Sequence, residues 1–195
     1  LDEQTAKKQQ ISAEQSKRQN ILKQLDKTIT GDRGKLGQLI NDQKNLSKVV
    51  NQLATTSSNT NFSDMRGKLN WPVNGKLVHS FGQSMSSRIV KWNGDLISAP
   101  QETPVNAVYT GKVVYADWLS GYGLLLIVDH GHGYLSLYGR NHSLYKKVGD
   151  AVQTGEQIAT VGQSGGYTDS GLYFEIRKND NAVNPKPWFK NSSPH

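Results

Sequence analysis

Five histidines, sixteen acidic residues and no cysteine are what this 195-residue chain has for building a metal or acid–base site. One histidine pair has ligand spacing. His130 and His132 stand two residues apart, as two imidazoles on one strand face would to share a zinc ion. Their neighbours argue against that chemistry. Gly131 and Gly133 interleave them, and such glycines mark a tight turn rather than a ligand-bearing strand. The pair is therefore read as a turn without metal. His79 and His142 have no ligand-spaced partners, and His195 ends the tail. Without cysteine there is no thiolate ligand and no disulfide framework, which suits the cytoplasm and the periplasm alike.

Two regions must position whatever chemistry there is. Residues 1–60 contain no aromatic residue, whereas all Trp, Tyr and Phe follow Asn61. Leu22, Leu25, Ile29, Leu36, Leu39, Leu46, Val50 and Leu53 fall on alternating three- and four-residue steps, interrupted by Asp32 and Gln43. A stripe that narrow does not hold a lone helix in water, so it predicts a coiled coil needing a partner. Gly31, Gly34 and Gly37 lie off the seam and weaken the helix, or mark a turn between two helices. The expected divisions are a helical coiled-coil arm over 1–54, a polar linker over 55–68, a β-domain over 69–190 and a tail over 191–195. The arm reads either as a plain spacer or as a device that docks a partner or controls access to the β-domain.

The β-domain is predicted from short runs such as Gly111 to Ala116, Leu124 to Val128, Gln157 to Val161 and Leu172 to Ile176, separated by glycine-containing turns. No amphipathic helix interrupts them, which is the pattern of an antiparallel sandwich or barrel. No apolar run reaches the roughly 18–20 residues that cross a bilayer as a helix. The chain opens in polar helical sequence rather than a signal peptide, as a mature or truncated piece would. A net charge of +7 is spread rather than clustered, which speaks against nucleic acid as partner.

Several motifs occur in a fixed order. They are Trp71-Pro72-Val73-Asn74-Gly75, then Gly94 with Ile97-Ser98-Ala99-Pro100, then Thr103-Pro104-Val105-Asn106-Ala107-Val108. Gly121-Tyr122-Gly123, Asp129-His130-Gly131, Leu137-Tyr138, Val148-Gly149-Asp150 and Gly155-Glu156-Gln157-Ile158 follow, and Gly171-Leu172-Tyr173-Phe174-Glu175-Ile176-Arg177 closes the series. In that order they resemble the lysostaphin-like, LytM-type zinc peptidases. The implied fold class is α+β: a helical coiled-coil segment followed by an all-β LytM-type domain of duplicated-hybrid, barrel-sandwich form.

In active members of that family a His, an Asp and the second His of His-Leu-His-Phe-Glu-Ile-Arg hold zinc, with a water completing the site. Here those metal positions hold Trp92, Leu96 and Tyr173, and the two assisting histidine positions hold Arg140 and Gly171. The resemblance therefore implies a degenerate peptidase with no metal, no cofactor and no catalytic residue. Loss of the whole set behind a coiled coil is the mark of EnvC-type murein hydrolase activators. Tyr115 to Gly123 and Ala182-Val183-Asn184-Pro185-Lys186-Pro187-Trp188 also resemble that subgroup. Membership implies a periplasmic protein at the division septum, peripheral to the inner membrane. It would activate zinc N-acetylmuramoyl-L-alanine amidases that split septal peptidoglycan. The coil would link it to the FtsE–FtsX division complex, through a contact expected outside these 195 residues.

The vacated cleft is expected to be a partner-binding groove formed by Trp92, Asn93, Leu96, Tyr122, Leu125, Arg140, Tyr173 and Arg177. Apolar and cationic groups together suit an amphipathic helix, here the amidase's self-blocking one. Simpler roles are also open: Tyr173 and Leu96 as filling for the old metal cavity, Trp92 as a packing anchor, Arg177 as a support for its strand through Glu175 or another carboxylate. The alternative function is a peptidoglycan-binding module gripping stem peptides. A lipoyl-like carrier is discounted because no lysine sits at the tight turn it would need.

Overall fold

The computed structural model describes residues 17, 20, 21, 24, 31, 34–53, 61–85, 90–191, 193 and 194. Compactness divides the chain into Leu1–Ile40 and Asn41–His195. In the first unit the described residues are helical. The early seam positions Leu22, Leu25 and Ile29 lie outside the described residues.

The second unit is mainly antiparallel sheet, as the β-rich runs lead one to expect. Its strands are β1 (Lys76–His79), β2 (Asp95–Ser98), β3 (Pro104–Asn106), β4 (Gly111–Leu119), β5 (Gly123–Gly131), β6 (Tyr134–Leu144), β7 (Ala151–Val152), β8 (Gln157–Val161), β9 (Gly171–Lys178) and β10 (Asn181–Val183). The order is β1-β2-β9-β6-β5-β4-β7, with β10 beside β9 and β8 joining β6 to β3. Helical residues 41–52 also belong to this unit.

Strand alternation sends successive side chains to opposite faces. One face of β9 places Leu172, Phe174 and Ile176 in the main core with Val113, Leu126, Val128, Tyr138 and Ile158. Phe62 joins this core, stacked on the His130 ring at 4.7 Å and tilted against Trp188 at 4.8 Å. A large aliphatic or aromatic side chain buried this fully contributes about 1.5–3 kcal/mol. His130 is therefore a core residue at the end of β5. Its Nδ1 pairs with the Thr110 carbonyl at 2.8 Å and its Nε2 with Ser136 Oγ at 2.7 Å. Burial pulls its pKa down to about 4, so the ring is neutral near pH 7. His132 lies beyond it in the turn, exposed and with φ of +51°.

The other face of the sheet carries a second apolar cluster. Leu125 and Ile127 from β5, Leu135 and Leu137 from β6, and Tyr122 and Tyr173 make its floor. Leu46 and Val50 from the helix are buried in the same cluster, with Val49 and Leu53 packed beside them. The late half of the predicted seam thus rests on the chain's own sheet. Residues 42, 46, 49, 50 and 53 form one helical stripe, which is what a surface helix needs to bury.

Candidate functional site

The groove is built from the odd-numbered face of β9. Tyr173 pairs across the sheet with Gly139, Glu175 with Leu137 and Arg177 with Leu135. On its other side Tyr173 pairs with Leu96 of β2. Glycines make room for the phenol. Gly139 faces it with no side chain, and a Cβ on Gly94 would come within 3.0 Å of the ring. Tyr122 meets Tyr173 edge-on at 5.4 Å.

Tyr173, Glu175 and Arg177 form one polar network beneath this apolar floor. The Tyr173 hydroxyl donates to Glu175 Oε2 at 2.9 Å, and Arg177 Nη1 donates to Glu175 Oε1 at 2.5 Å. Arg177 Nη2 also donates to the Asp180 carbonyl. Glu175 is fully buried. Burial raises its pKa, while Arg177 and the two hydrogen bonds oppose that rise. The Tyr173 phenol is pushed well above its ordinary value, first by burial and then by the Glu175 charge.

This chemistry does not fit zinc. Catalytic zinc takes imidazole, thiolate or carboxylate donors around an open water position. The three positions where the resemblance implies ligands present the Trp92 indole, the Leu96 isobutyl group and a phenol held protonated and already bonded to Glu175. Among the described residues no three His, Cys, Asp or Glu converge as a metal-binding group.

The groove has a covered half and an open half. Helical residues Leu46 and Val50, each 2% exposed, lie over the Tyr122, Leu125 and Tyr173 side. Asp42, one turn earlier on the same stripe, is also buried and accepts a 3.0 Å hydrogen bond from Ser120 Oγ. The open half is a cavity of about 510 Å³ lined by Val78, His79, Leu96, Arg140, Asp169 and neighbouring hydroxyl and amide side chains. Arg140 reaches it through an unusual backbone. Its φ is +65°, its amide donates to the Tyr122 carbonyl at 2.7 Å, and the Asn141 side chain ties down the Leu124 and Tyr138 carbonyls. A non-glycine residue held there costs on the order of 1 kcal/mol, and such positions cluster at binding sites. The guanidinium stacks over Tyr167 at 3.3 Å.

All eight residues expected in the groove have a defined place. Tyr122, Leu125 and Tyr173 meet under the helix, and Trp92 packs against the same cluster. Leu96 and Arg140 line the open cavity. Arg177 is buried on Glu175. Asn93 is half-buried in the bend two residues before β2, beside Trp92, whose ring stacks on His79 at 4.7 Å. Four further contributors escape sequence reasoning. Asp42 carries no motif, and Ser120 lies in the Tyr115 to Gly123 stretch with no role of its own assigned there. His79 shows itself only through its stack on Trp92, and Tyr167 only through Arg140. Period-two spacing from Tyr173 was the available signal for Glu175.

Residues 90–185 match the model of Peptidase family M23. The murein hydrolase activator EnvC of Escherichia coli (strain K12) is 47% identical over 123 residues, covering 63% of this chain and 29% of that protein. The murein hydrolase activator NlpD of the same strain is 36% identical over 116 residues, covering 59% and 29% respectively. The solved structure of LytU superposes with a TM-score of 0.55 at 30% identity, covering 59% of this chain and 84% of that one. The chain thus spans less than a third of the length of these two activators.

Proposed function

We propose that this chain, a member of peptidase family M23, is a non-catalytic activator of zinc N-acetylmuramoyl-L-alanine amidases in septal peptidoglycan splitting. One observation carries the reading: Tyr173, at a position the resemblance assigns to a metal ligand, is a phenol locked onto a buried Glu–Arg pair, beside the indole of Trp92 and the aliphatic Leu96. What remains is an apolar face with buried cations at its edge, suited to an amphipathic helix. The occupant is the helix that blocks the amidase's own zinc, and capturing it exposes that zinc. The murein hydrolase activators similar to this chain support the same class of role.

In this reading residues 41–53 of the chain occupy the seat the amidase helix needs, so the groove rests closed. The place of action is the periplasm at the division septum, peripheral to the inner membrane. The helical coil is the proposed link to the FtsE–FtsX division complex. Deleting residues 1–60 is expected to leave a folded domain that activates amidase at least as well as the full chain. A folded deletion variant without activating power would defeat this reading.

A second reading has one observation in its favour. The open 510 Å³ cavity, with Arg140, Asp169 and several hydroxyls, has room for a short peptide such as a peptidoglycan stem. Co-sedimentation with purified sacculi in the absence of amidase separates the two. Retention there without any effect on amidase activity would favour the peptidoglycan-binding module.

A further inference from the structure

The chain's own helix shows what the covered half of the groove is shaped to read. Asp42, Leu46 and Val50 succeed one another at four-residue steps, and all three are buried. The two aliphatic groups need only an apolar floor. Asp42 needs more. It sits in the interior of the helix over residues 34–52, where aspartate is a poor helix former and caps nothing. Burying a carboxylate without a partner is costly.

The sheet supplies a fitted seat at the β4–β5 turn. Ser120 Oγ donates to Asp42 Oδ1 at 3.0 Å. Gly121 leaves space for the rest of the carboxylate: a Cβ there would stand 2.4 Å from Asp42 Oδ2 and 2.5 Å from its Cγ. The turn is itself anchored, because the Tyr167 hydroxyl donates to the Gly121 carbonyl at 2.8 Å. Gly121 also has φ of +78°, so the turn geometry and the carboxylate space both call for glycine.

We propose that Ser120 and Gly121 form a carboxylate-reading subsite. The partner helix admitted to the groove then carries an acidic residue four positions ahead of one buried aliphatic residue and eight ahead of a second. This rests on the reading that the groove receives a partner's amphipathic helix; it adds which helices are accepted. The apolar floor gives affinity, and the Ser120–Gly121 seat fixes register and direction. A helix shifted by one turn one way would put a methyl group against the serine hydroxyl; shifted the other way, it would leave its acid over the apolar floor.

The test uses the full chain carrying Leu46→Ala and Val50→Ala, which loosens the resident helix. A fluorescent peptide of residues 34–53, with Asp42 or with Asp42→Asn, is titrated against this chain with Ser120 intact or Ser120→Ala. A hydrogen bond to a charged group exceeds a neutral one by an amount corresponding to about fivefold in affinity. The acidic peptide is therefore expected to bind about fivefold tighter than the amide peptide when Ser120 is present, and about equally when it is replaced. Equal binding of the two peptides to the Ser120 chain would overturn the subsite, as would a preference that survives Ser120→Ala. The same peptides are then added to an amidase activation assay. Stronger inhibition of activation by the acidic peptide supports a shared signature in the partner. Equal inhibition by both overturns that signature. Acid-selective binding beside a complete lack of activation would instead defeat the activator reading while leaving the subsite standing.

Discussion

Replacing Leu46 by alanine separates a helix that merely covers the sheet from one that is part of its fold. Leu46 is 2% exposed and shares a cluster with Val50, Tyr122, Leu125, Leu137 and Tyr173. Truncating a leucine so placed costs about 3 kcal/mol, within the range for buried Leu→Ala changes. If that cost falls on docking, the undocked population rises about 100-fold. Lys44 and Lys48 lie on the exposed side of the same helix and are ready trypsin sites once it unwinds. Cleavage of a transiently opened segment follows the open population when reclosing is faster than cleavage. Mass spectrometry of a limited tryptic digest is expected to show cuts at Lys44 and Lys48 about 100-fold faster in the variant. A fragment carrying the β-domain should accumulate intact. Loss of the sheet lysines Lys112 and Lys178 in step with Lys44 would refute the reasoning, because the helix and sheet would then unfold as one unit.

Other expectations follow from the same geometry. Arg177→Ala leaves the fully buried Glu175 without its cation and is expected to cost about 3–5 kcal/mol in urea unfolding; a change under about 1 kcal/mol would show that the pair is not closed in solution. Tyr173→Phe removes one hydrogen bond to that carboxylate and should cost about 1.5–3 kcal/mol by the same measurement. His130 is neutral when folded, with a pKa of about 4, and ordinary when unfolded, so the unfolded chain binds the extra proton between those values. Its contribution is complete above pH 6.5 and falls by about 3 kcal/mol as pH drops to 4. The raised carboxyls of Asp95 and Glu175 titrate with the opposite sign, so the stability difference between wild type and His130→Gln isolates the histidine. A difference that does not change between pH 7 and 4 would contradict the buried neutral ring.

The sheet was largely legible because its chemistry is local. Leu124 to Val128 runs apolar between glycines, Leu172 to Ile176 follows Gly171, and each lies inside a strand. The assignment of Trp92, Leu96 and Tyr173 to former ligand positions rests on the motif order alone. For Arg177, support of the strand through Glu175 or another carboxylate was one open reading, and the structure closes the pair on Glu175. The helix seat was not legible. A heptad stripe states that Leu46 and Val50 need an apolar partner, and it carries no record of whether that partner is a helix or a sheet. Asp42 and Ser120 are 78 residues apart and no motif links them, so their hydrogen bond exists only in the folded chain. Arg140 was placed in the groove from its motif position, while its left-handed backbone depends on the Asn141 side chain and the Tyr122 carbonyl.

Dye release from labelled peptidoglycan tests most directly whether the old hydrolase cleft has become a docking surface for another enzyme. The chain is assayed alone with added zinc, a zinc amidase is assayed alone, and the two are assayed together, with the Leu46→Ala, Val50→Ala chain as a fourth arm. The expected result is no release by the chain alone, faster release by the mixture than by amidase alone, and the fastest release with the loosened helix. Release by the chain alone with zinc, or a mixture no faster than amidase by itself in both forms of the chain, would contradict it.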